Sequence, residues 1–390
     1  MNNIQSPLTV KPKVLIFNDY YADTKEFAVF SQTFKCVHYK FSTRDAFIKD
    51  MQSVHSDTVA FLCMFCGLDP IGSLTADLVP HLPQSLRIIV SSSVGYDHFD
   101  TRALAARSPP ILFCNTPGTG AAAPVADHAL LLTLSLYRQQ PAFERVLALS
   151  GDMAAARALL TSGRPWDASA GRPLLADLKY RDDSKHHILE VSASFGDRVG
   201  DRPVEEPRGH TVAVLGFGPI GRAIGARLSA IGMHVCYYSR NPAPASVTEK
   251  LGYHAKHYSR LADILPRAQL VVAALPLTPQ TRHLLNDDTL ALLPQGARVI
   301  NVGRGATVDS AALLRALRSG RIHGAGLDVI EGEPQIEPGL LDRWDVIITP
   351  HIGSSTRQNA IQAQGVCMTN ITAFFENRID SVKAVNKEFF

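Results

Sequence analysis

Residues 211–240 read TVAVLGFGPIGRAIGARLSAIGMHVCYYSR, and this stretch indicates the fold of the central part of the chain. An apolar run ends at Leu215 and meets a glycine-rich turn, GFGPIG, at residues 216–221. Apolar residues then recur near every 3.6 positions, as in an amphipathic helix, and a second β-like run begins at His234. Strand, G-x-G-x-x-G and helix in this order predict a Rossmann-type dinucleotide-binding domain.

Four residues of this turn have a physical role that their residue type suits. Gly216 allows the tight turn, Gly218 lets the backbone approach a pyrophosphate, and Gly221 lets the helix pack closely on the strand. Pro219 suits the first helical turn, where its missing N–H is no loss. The phosphates are expected at the helix N-terminus, where free N–H groups and the helix dipole favour anions.

The end of the second strand bears on which dinucleotide binds. An NAD site has a carboxylate there for the ribose 2′-hydroxyl, about 20 residues beyond the turn. No Asp or Glu occurs between Gly216 and Glu249, and the strand ends in Ser239 and Arg240. A hydroxyl and a guanidinium suit a 2′-phosphate, so NADP(H) is predicted. The alternative, an exposed loop arginine with NAD(H) as cofactor, stays open.

Composition restricts the class of protein. A chain of 390 residues is too long for one ordinary core, so two domains are expected. The hydrophobic share of 46% and charged share of 19% are typical of a soluble globular protein. A net charge of +3 without a Lys/Arg block predicts neither a nucleic-acid nor a membrane partner. Without a signal sequence or an apolar run of about 18 residues, the expected location is the cytoplasm.

Cysteine and histidine pairs predict neither redox chemistry nor metal binding. Cys63 and Cys66 lie at the end of the apolar run 59–65, so small buried side chains on a strand are expected. His186 and His187 have no third ligand at workable spacing, and a solvated loop is predicted there. We therefore predict no metal site.

The N-terminal part predicts a second parallel sheet. Apolar runs at residues 14–17, 59–65 and 86–90 alternate with helix-length segments, which favours a parallel α/β sheet within residues 1–115. Residues 91–97, SSSVGYD, follow one of these strands. Small residues at the carboxyl end of a strand leave backbone N–H groups accessible to a ligand, although an ordinary turn is an equal alternative.

The middle of the chain connects the two sheets. Residues 115–120 are rich in Pro and Gly and predict a domain crossover, and residues 125–138 predict an apolar helix in a core or subunit interface. His128 on that helix is expected to serve packing or the interface rather than catalysis. Residues 150–209 predict an irregular surface insertion, with a helix at 153–160.

Ionisable residues follow strands of the Rossmann-type domain. Arg304, Glu333 and His351 each come just after a predicted strand, and such strand ends face one crevice in an open α/β sheet. Reduction of a 2-keto acid needs a cation for the carboxylate, an acid for the carbonyl oxygen and a carboxylate that orients this acid. Taken singly, each could be an ordinary surface residue. The predicted strands in this part of the chain are residues 270–275, 298–302, 326–329 and 346–349.

Further segments carry a resemblance to a known family. NVGRGATVD (301–309), GLDVIEGEP (326–334) and PHIGSST (350–356) resemble signatures of the D-isomer-specific 2-hydroxyacid dehydrogenases. TPGTGAAAPVADHALLLTLSLYR (116–138) and SSSVGYDHFD (91–100) are similar to the family's flanking motifs. The resemblance covers nearly the whole chain except 150–209. Asp127 departs from it, because the family usually has Glu there.

The resemblance implies an architecture and an assembly. It implies a Rossmann-type cofactor domain at residues 118–352, inserted in a flavodoxin-like substrate domain made of residues 1–117 and 353–390. It also implies a homodimer held largely by the helix region 125–138.

The resemblance also implies residue roles. Arg304, Glu333 and His351 would be catalytic, Val94 and Gly95 would bind the substrate carboxylate through backbone N–H together with Arg304, and Asp328 would contact the nicotinamide carboxamide. The cofactor-binding residues that we predict are Gly216, Gly218, Pro219, Ile220, Gly221, Ser239, Arg240, Pro276, Val302, Asp328 and Gly353.

Within the family, Ser239-Arg240 and the SVGYDH motif look most like the glyoxylate/hydroxypyruvate reductase branch. This implies NADPH-dependent reduction of a small 2-keto acid to the D-2-hydroxy acid, with His351 as proton donor and the substrate entering between the domains. An NAD-linked phosphoglycerate-type dehydrogenase and a dinucleotide-sensing corepressor on the same fold remain as alternatives.

Overall fold

The computed structural model describes residues 10–65, 68–116, 120–161, 165–175, 180–183, 186–189 and 195–389. The chain divides into two compact units. The first is formed by Met1–Ala121 together with Ser355–Phe390, and the second by Ala122–Ser354. Each unit contains its own parallel sheet, so the predicted α/β class with two parallel sheets is confirmed.

The helices of the described residues are interspersed with the strands throughout the chain. They are α1 (Lys25–Thr33), α2 (Arg44–Gln52), α3 (Thr101–Ala106), α4 (Ala122–Tyr137), α5 (Gln140–Ser150), α6 (Met153–Thr161), α7 (Pro219–Ala230), α8 (Ala245–Thr248), α9 (Leu261–Ile264), α10 (Asp287–Ala291), α11 (Ser310–Arg318), α12 (Pro338–Leu341) and α13 (Arg357–Phe375).

The first unit has a five-stranded sheet in which all strand pairs are parallel. Its order is β2-β1-β3-β4-β5, the flavodoxin-like order. Alternate residues of the central strand face opposite layers: Val14 and Ile16 pack with α1 and α13, while Leu15 and Phe17 pack with α2. Burial on both faces explains the unbroken apolar runs of these strands. The strands are β1 (Lys13–Phe17), β2 (Lys35–Tyr39), β3 (Thr58–Cys63), β4 (Ile88–Ser91) and β5 (Leu112–Cys114).

The second unit begins with three helices and three short antiparallel strand pairs. Helix α6 at Met153–Thr161 confirms the predicted helix. Strands then pair β6 with β7, β8 with β9 and β10 with β11. These strands are β6 (Trp166–Asp167), β7 (Arg172–Pro173), β8 (Tyr180–Asp183), β9 (His186–Leu189), β10 (Arg198–Val199) and β11 (Arg202–Pro203).

One prediction for residues 150–209 was wrong, because His186 and His187 lie in a paired strand rather than in a loop. The described parts of the segment contain a helix and six short strands, most of them two residues long. The reason is that strands of two to four residues are held by backbone hydrogen bonds across tight turns. They are too short to show the alternation of apolar and polar residues from which strands are recognised.

Buried charges attach this segment to the main sheet of its unit. Arg343 is 2% exposed, donates to Asp345 at 2.8 and 2.9 Å, and also donates to the carbonyl oxygen of Ala168 at 2.9 Å. Arg202 donates to Asp345 and to the carbonyl oxygen of His323. Because buried charges are stable only when paired, these contacts tie the segment firmly to the sheet.

The main sheet of the second unit has seven strands, all parallel, in the order β14-β13-β12-β15-β16-β17-β18. This is the Rossmann order extended by one strand. One face packs against α4 and α7, and the other face against α10 and α11. The strands are β12 (Thr211–Leu215), β13 (His234–Tyr238), β14 (Ala255–Tyr258), β15 (Leu270–Ala273), β16 (Ala297–Asn301), β17 (Ile322–Leu327) and β18 (Val346–Ile348).

Candidate active site

The glycine-rich turn between β12 and α7 has the shape that a dinucleotide requires. Gly216 has φ +93°, and a Cβ there would lie 2.7 Å from the carbonyl oxygen of Ala274. A Cβ on Gly221 would lie 2.0 Å from the carbonyl oxygen of Gly216, so helix and strand pack too closely for any side chain. Both glycines are required by the fold itself.

Gly218 differs from the other two glycines. It is the N-cap of α7, offers no side-chain cap to the helix, and a Cβ on it would meet no atom of the chain within 4 Å. The N–H groups of the first helical turn are therefore approachable from this side. These residues fit the pyrophosphate of a dinucleotide, whose charge the helix N-terminus would stabilise.

Ser239 and Arg240 follow the neighbouring strand and lie next to this turn. Leu215 pairs with Tyr238, and the N–H of Gly216 donates to the carbonyl oxygen of Tyr238 at 3.0 Å. The Ser239 hydroxyl donates to the carbonyl oxygen of residue 241 at 2.6 Å, and Arg240 is exposed. The structure thus places residues 239 and 240 at the same sheet edge as the glycine-rich turn.

His351 and Glu333 form a hydrogen-bonded pair after β18 and β17. His351 Nδ1 lies 3.0 Å from Glu333 Oε2, and Glu333 Oε1 accepts from the N–H of Ile330 at 2.7 Å. Both side chains remain partly exposed, at 45% and 40%. Their partly exposed positions leave the imidazole within reach of a substrate while one of its nitrogens is held by the carboxylate.

The pairing of His351 with Glu333 favours the protonated imidazole. The hydrogen bond with Glu333 raises the pKa of His351, and this outweighs burial, which acts in the opposite direction. Burial opposes ionisation of Glu333, but hydrogen bonds from His351 and Ile330 outweigh it and lower the pKa of Glu333. Both shifts favour an imidazolium beside a carboxylate, which is the state a proton donor needs.

Arg304 lies in the loop after β16, the strand beside β17. Asn301 holds this loop, because its side-chain amide donates to the carbonyl oxygen of Arg304 at 3.0 Å and accepts from the N–H of Gly303 at 3.1 Å. A Cβ on Gly305 would lie 2.0 Å from the carbonyl oxygen of Ile330, so the loop packs directly on the segment that leads to Glu333. The positive charge of Arg304 acts to lower the pKa of His351, against the larger effect of Glu333.

Other predicted cofactor residues line the same edge. Asp328 follows β17, is 4% exposed and accepts from the N–H groups of Ile352 and Gly353 at 2.9 and 2.8 Å. Pro276 follows β15 and is exposed, whereas Val302 follows β16 and is 7% exposed. All of these positions lie beyond carboxyl ends of parallel strands, where open α/β sheets bind ligands.

In the first unit, Val94 and Gly95 lie in the loop after β4. The carbonyl oxygen of Val94 accepts from the side chain of Asn115 at 2.6 Å, and the side chain of Val94 is 40% exposed. The hydroxyl of Thr116 donates to the carbonyl oxygen of Ser92 at 2.7 Å. Side chains after β5 thus hold this exposed loop in one conformation.

Sequence reasoning missed the residues that hold these loops. Asn301 is fully buried at the end of an apolar strand, and Asn115 is 6% exposed in the same kind of position. A polar side chain in last place of an apolar strand is the signal that could have identified them, because a buried amide needs partners.

Within the described ranges, no group of three or more His, Cys, Asp or Glu side chains is arranged to hold a metal ion. In the part of the chain that the structure describes, none of the helices has a membrane-spanning apolar stretch.

Comparison with known proteins places this fold among NAD(P)-dependent dehydrogenases. A sequence model of the family described as D-isomer specific 2-hydroxyacid dehydrogenase, NAD binding domain, matches residues 186–353. A Saccharomyces cerevisiae protein whose name assigns it to the 2-hydroxyacid dehydrogenases is 30% identical, over 89% of this chain and 88% of its own. Glyoxylate reductase of Pyrococcus furiosus is 32% identical, over 78% of this chain and 76% of its own.

Solved structures of other dehydrogenases and reductases have a similar fold. The holo form of D-mandelate dehydrogenase from Rhodotorula graminis is similar with a TM-score of 0.76 and 27% identity, covering 93% of this chain and 94% of that chain. NADPH-dependent glyoxylate/hydroxypyruvate reductase from Sinorhizobium meliloti, in complex with NADP and malonate, gives a TM-score of 0.68 at 26% identity, covering 94% of each chain. The chain belongs to the D-isomer-specific 2-hydroxyacid dehydrogenase family, and it is an enzyme that uses a nicotinamide dinucleotide.

Proposed function

We propose that the enzyme reduces a small 2-keto acid of the glyoxylate or hydroxypyruvate type to the D-2-hydroxy acid with NADPH. The observation that carries this proposal is the hydrogen-bonded pair of His351 and Glu333 beyond β17 and β18, with Arg304 beyond the adjacent strand. The names of the relatives from Pyrococcus and Sinorhizobium support the substrate class.

His351 supplies the proton. Glu333 holds Nδ1 of the imidazole, so Nε2 is the nitrogen that can face the carbonyl oxygen of the substrate. The reduced nicotinamide, when bound, supplies the hydride for the carbonyl carbon. The oxygen takes the proton from Nε2 and becomes the hydroxyl, and His351 is left neutral until it regains a proton from water.

Arg304 binds and orients the substrate. Its guanidinium matches the two oxygens of a carboxylate and polarises the adjacent carbonyl. In the first unit, the backbone N–H groups of Val94 and Gly95 are proposed to bind the same carboxylate.

The cofactor is held by backbone and side chains of the second unit. Gly216, Gly218 and Gly221 shape the turn, and the first turn of α7, with Pro219 and Ile220, receives the pyrophosphate. Ser239 and Arg240 bind the 2′-phosphate, while Asp328 contacts the carboxamide. Pro276, Val302 and Gly353 complete the proposed lining of the cofactor site.

Steady-state assays test the proposal directly. Glyoxylate, hydroxypyruvate and the bulkier aromatic benzoylformate are each offered with NADPH and with NADH. We expect the highest kcat/KM for a small acid with NADPH, and a D-configured product where the product is chiral. Preference for benzoylformate would instead favour the mandelate-type activity of the Rhodotorula relative, and preference for NADH would contradict the cofactor assignment.

The 2′-phosphate contact has its own test. Arg240→Ala removes a charge-assisted hydrogen bond worth about 1.5–3 kcal/mol, so the KM for NADPH should rise roughly 10- to 150-fold while that for NADH stays within about twofold. Arg318→Ala is the matched control, because Arg318 is an exposed arginine in the last turn of α11. Equal loss with both cofactors would contradict the assignment.

We also propose that the enzyme is a homodimer associated through α4. Half of the 16 residues of this helix are buried, whereas Leu131 and Leu134 are 56% and 37% exposed. Exposed leucines on an otherwise apolar helix favour a protein partner, and a second copy is the simplest one. Sedimentation at micromolar concentration should give a dimer, and Leu131→Asp should shift it toward the monomer; a monomeric native protein would contradict the proposal.

A further inference from the structure

Helix α4 lies close to β17 because two residues of that strand have no side chain. A Cβ on Gly324 would be 3.0 Å from Leu136 Cδ2, and one on Gly326 would be 3.1 Å from Leu132 Cβ. Four helical residues advance about 6 Å, and two strand residues advance nearly 7 Å, so these spacings match. The helix and the strand therefore run antiparallel in register, with one turn of α4 against every second residue of β17.

The next position in this register places His128 over Asp328. His128 Nε2 lies 3.4 Å from Asp328 Oδ1 and 2.9 Å from Thr349 Oγ1. The His128 side chain is only 11% exposed. Its contacts are thus consistent with packing, as predicted, but they are polar and directed at the residues that precede His351.

The direction of these hydrogen bonds follows from the charge of Asp328. Burial opposes ionisation of this carboxyl, but hydrogen bonds from His128, Thr349 and the backbone outweigh it and hold its pKa below the usual value. The ionised carboxylate can only accept, so the single hydroxyl proton of Thr349 goes to Asp328 Oδ1, at 2.7 Å. Thr349 Oγ1 must then accept from an N–H at His128 Nε2.

Hydrogen bonds to Asp328 also hold the loop that carries His351. Its two carboxylate oxygens accept from the N–H groups of Ile352 and Gly353, immediately after His351. Its carbonyl oxygen accepts from the N–H of His351 at 2.9 Å. A Cβ on Gly353 would lie 2.7 Å from Asp328 Oδ2, so the loop lies directly against the carboxylate.

His351 itself needs such support, because its backbone has φ +55°. A non-glycine residue in this region is strained and persists only when neighbouring contacts hold it. Asp328 supplies part of this support through its contacts with residues 351–353, and it is in turn held by Thr349 and His128.

We infer that His128 is a positioning residue for the proton donor. It acts through Thr349 and Asp328 on residues 349–353, and so holds the imidazole of His351 where it meets Glu333. The inference rests on the proposed function, because it assigns a role that matters only if His351 transfers the proton.

The first experiment compares variants that remove or keep each hydrogen bond. His128→Leu and Thr349→Val should each lower kcat about tenfold, with NADPH affinity within about threefold of native and a larger primary deuterium isotope effect from 4-deuterated NADPH. Tenfold corresponds to about 1.4 kcal/mol in the barrier. His128→Gln, which keeps a donor, and Thr349→Ser, which keeps the hydroxyl, should recover most of kcat.

The second experiment separates this role from simple stabilisation. In a His351→Ala background, His128→Leu should cause no further loss of turnover, because the residue through which it acts is gone. An undiminished tenfold loss in that background, or no recovery in the two conservative variants, would overturn the inference. If His351→Ala alone left turnover unchanged, the proposed function itself would be overturned. Failure of the inference and failure of the proposed function are therefore distinguishable.

Discussion

We expect His351→Ala to lower kcat roughly 10²- to 10⁴-fold, the usual cost of losing a positioned acid. The alanine variant keeps the glycine-rich turn, Arg240 and Arg304, so NADPH and substrate should still bind. NADPH affinity is measured by fluorescence titration and turnover by loss of NADPH absorbance. Turnover equal to that of the native enzyme would contradict the assignment of His351 as proton donor.

Glu333→Gln is the matched control for this result, because an amide keeps the shape of the side chain and removes its charge. Glu333 raises the pKa of His351, and its loss should therefore lower that pKa. Reduction requires the protonated imidazole, so activity is high below this pKa and falls above it. The alkaline limb of the kcat/KM profile should thus move to lower pH, and much of the activity should return in acid, which His351→Ala cannot show.

We expect Gly221→Ala to lower the stability of the protein and to weaken the binding of NADPH. The new Cβ would lie 2.0 Å from the carbonyl oxygen of Gly216, and that atom belongs to the backbone of the turn, not to a flexible side chain. Overpacking costs about 1–3 kcal/mol even where side chains can adjust, and more where the backbone must move. The measurements are thermal unfolding and NADPH titration, with a lower melting temperature and at least about tenfold weaker binding as the expected result.

Gly218→Ala is the control for this prediction, since its Cβ would meet no atom of the chain within 4 Å. This variant should unfold at the native temperature, yet bind NADPH more weakly, because the methyl group faces the approach to the helix N-terminus. Native affinity in Gly218→Ala would indicate that the pyrophosphate does not approach here. Native stability and affinity in Gly221→Ala would show that the turn can be repacked.

Much of the fold of the second unit could be predicted, because the sequence features that determine it lie within a few residues of one another. β12 ends at Leu215, as predicted, and Asp309 is the N-cap of α11, where its side chain accepts from the N–H of Ala312. Runs of apolar residues identify buried parallel strands, and glycine identifies backbone that no other residue can adopt. The prediction that Arg304, Glu333 and His351 come after strands rests on the same apolar runs.

The short strands of residues 150–209 could not be predicted in this way. Arg202, Arg343 and Asp345 are each at most 6% exposed, although charged residues are ordinarily at the surface. Their burial depends on partners far away in the chain, such as Arg202 and Asp345. A local pattern carries no information about such pairs.

The sequence by itself determined the glycine-rich turn, the order of strands and helices around it, and the residue types that chemistry needs at strand ends. The tertiary structure decided which side chains meet. The 3.0 Å contact between His351 and Glu333 joins loops after two different strands, and the contact of His128 with Thr349 joins residues far apart in the chain. Periodicity and turn chemistry act over a few residues, whereas these contacts depend on the packing of distant segments. The contact of His128 also requires the close approach of α4 to β17, which two glycines allow.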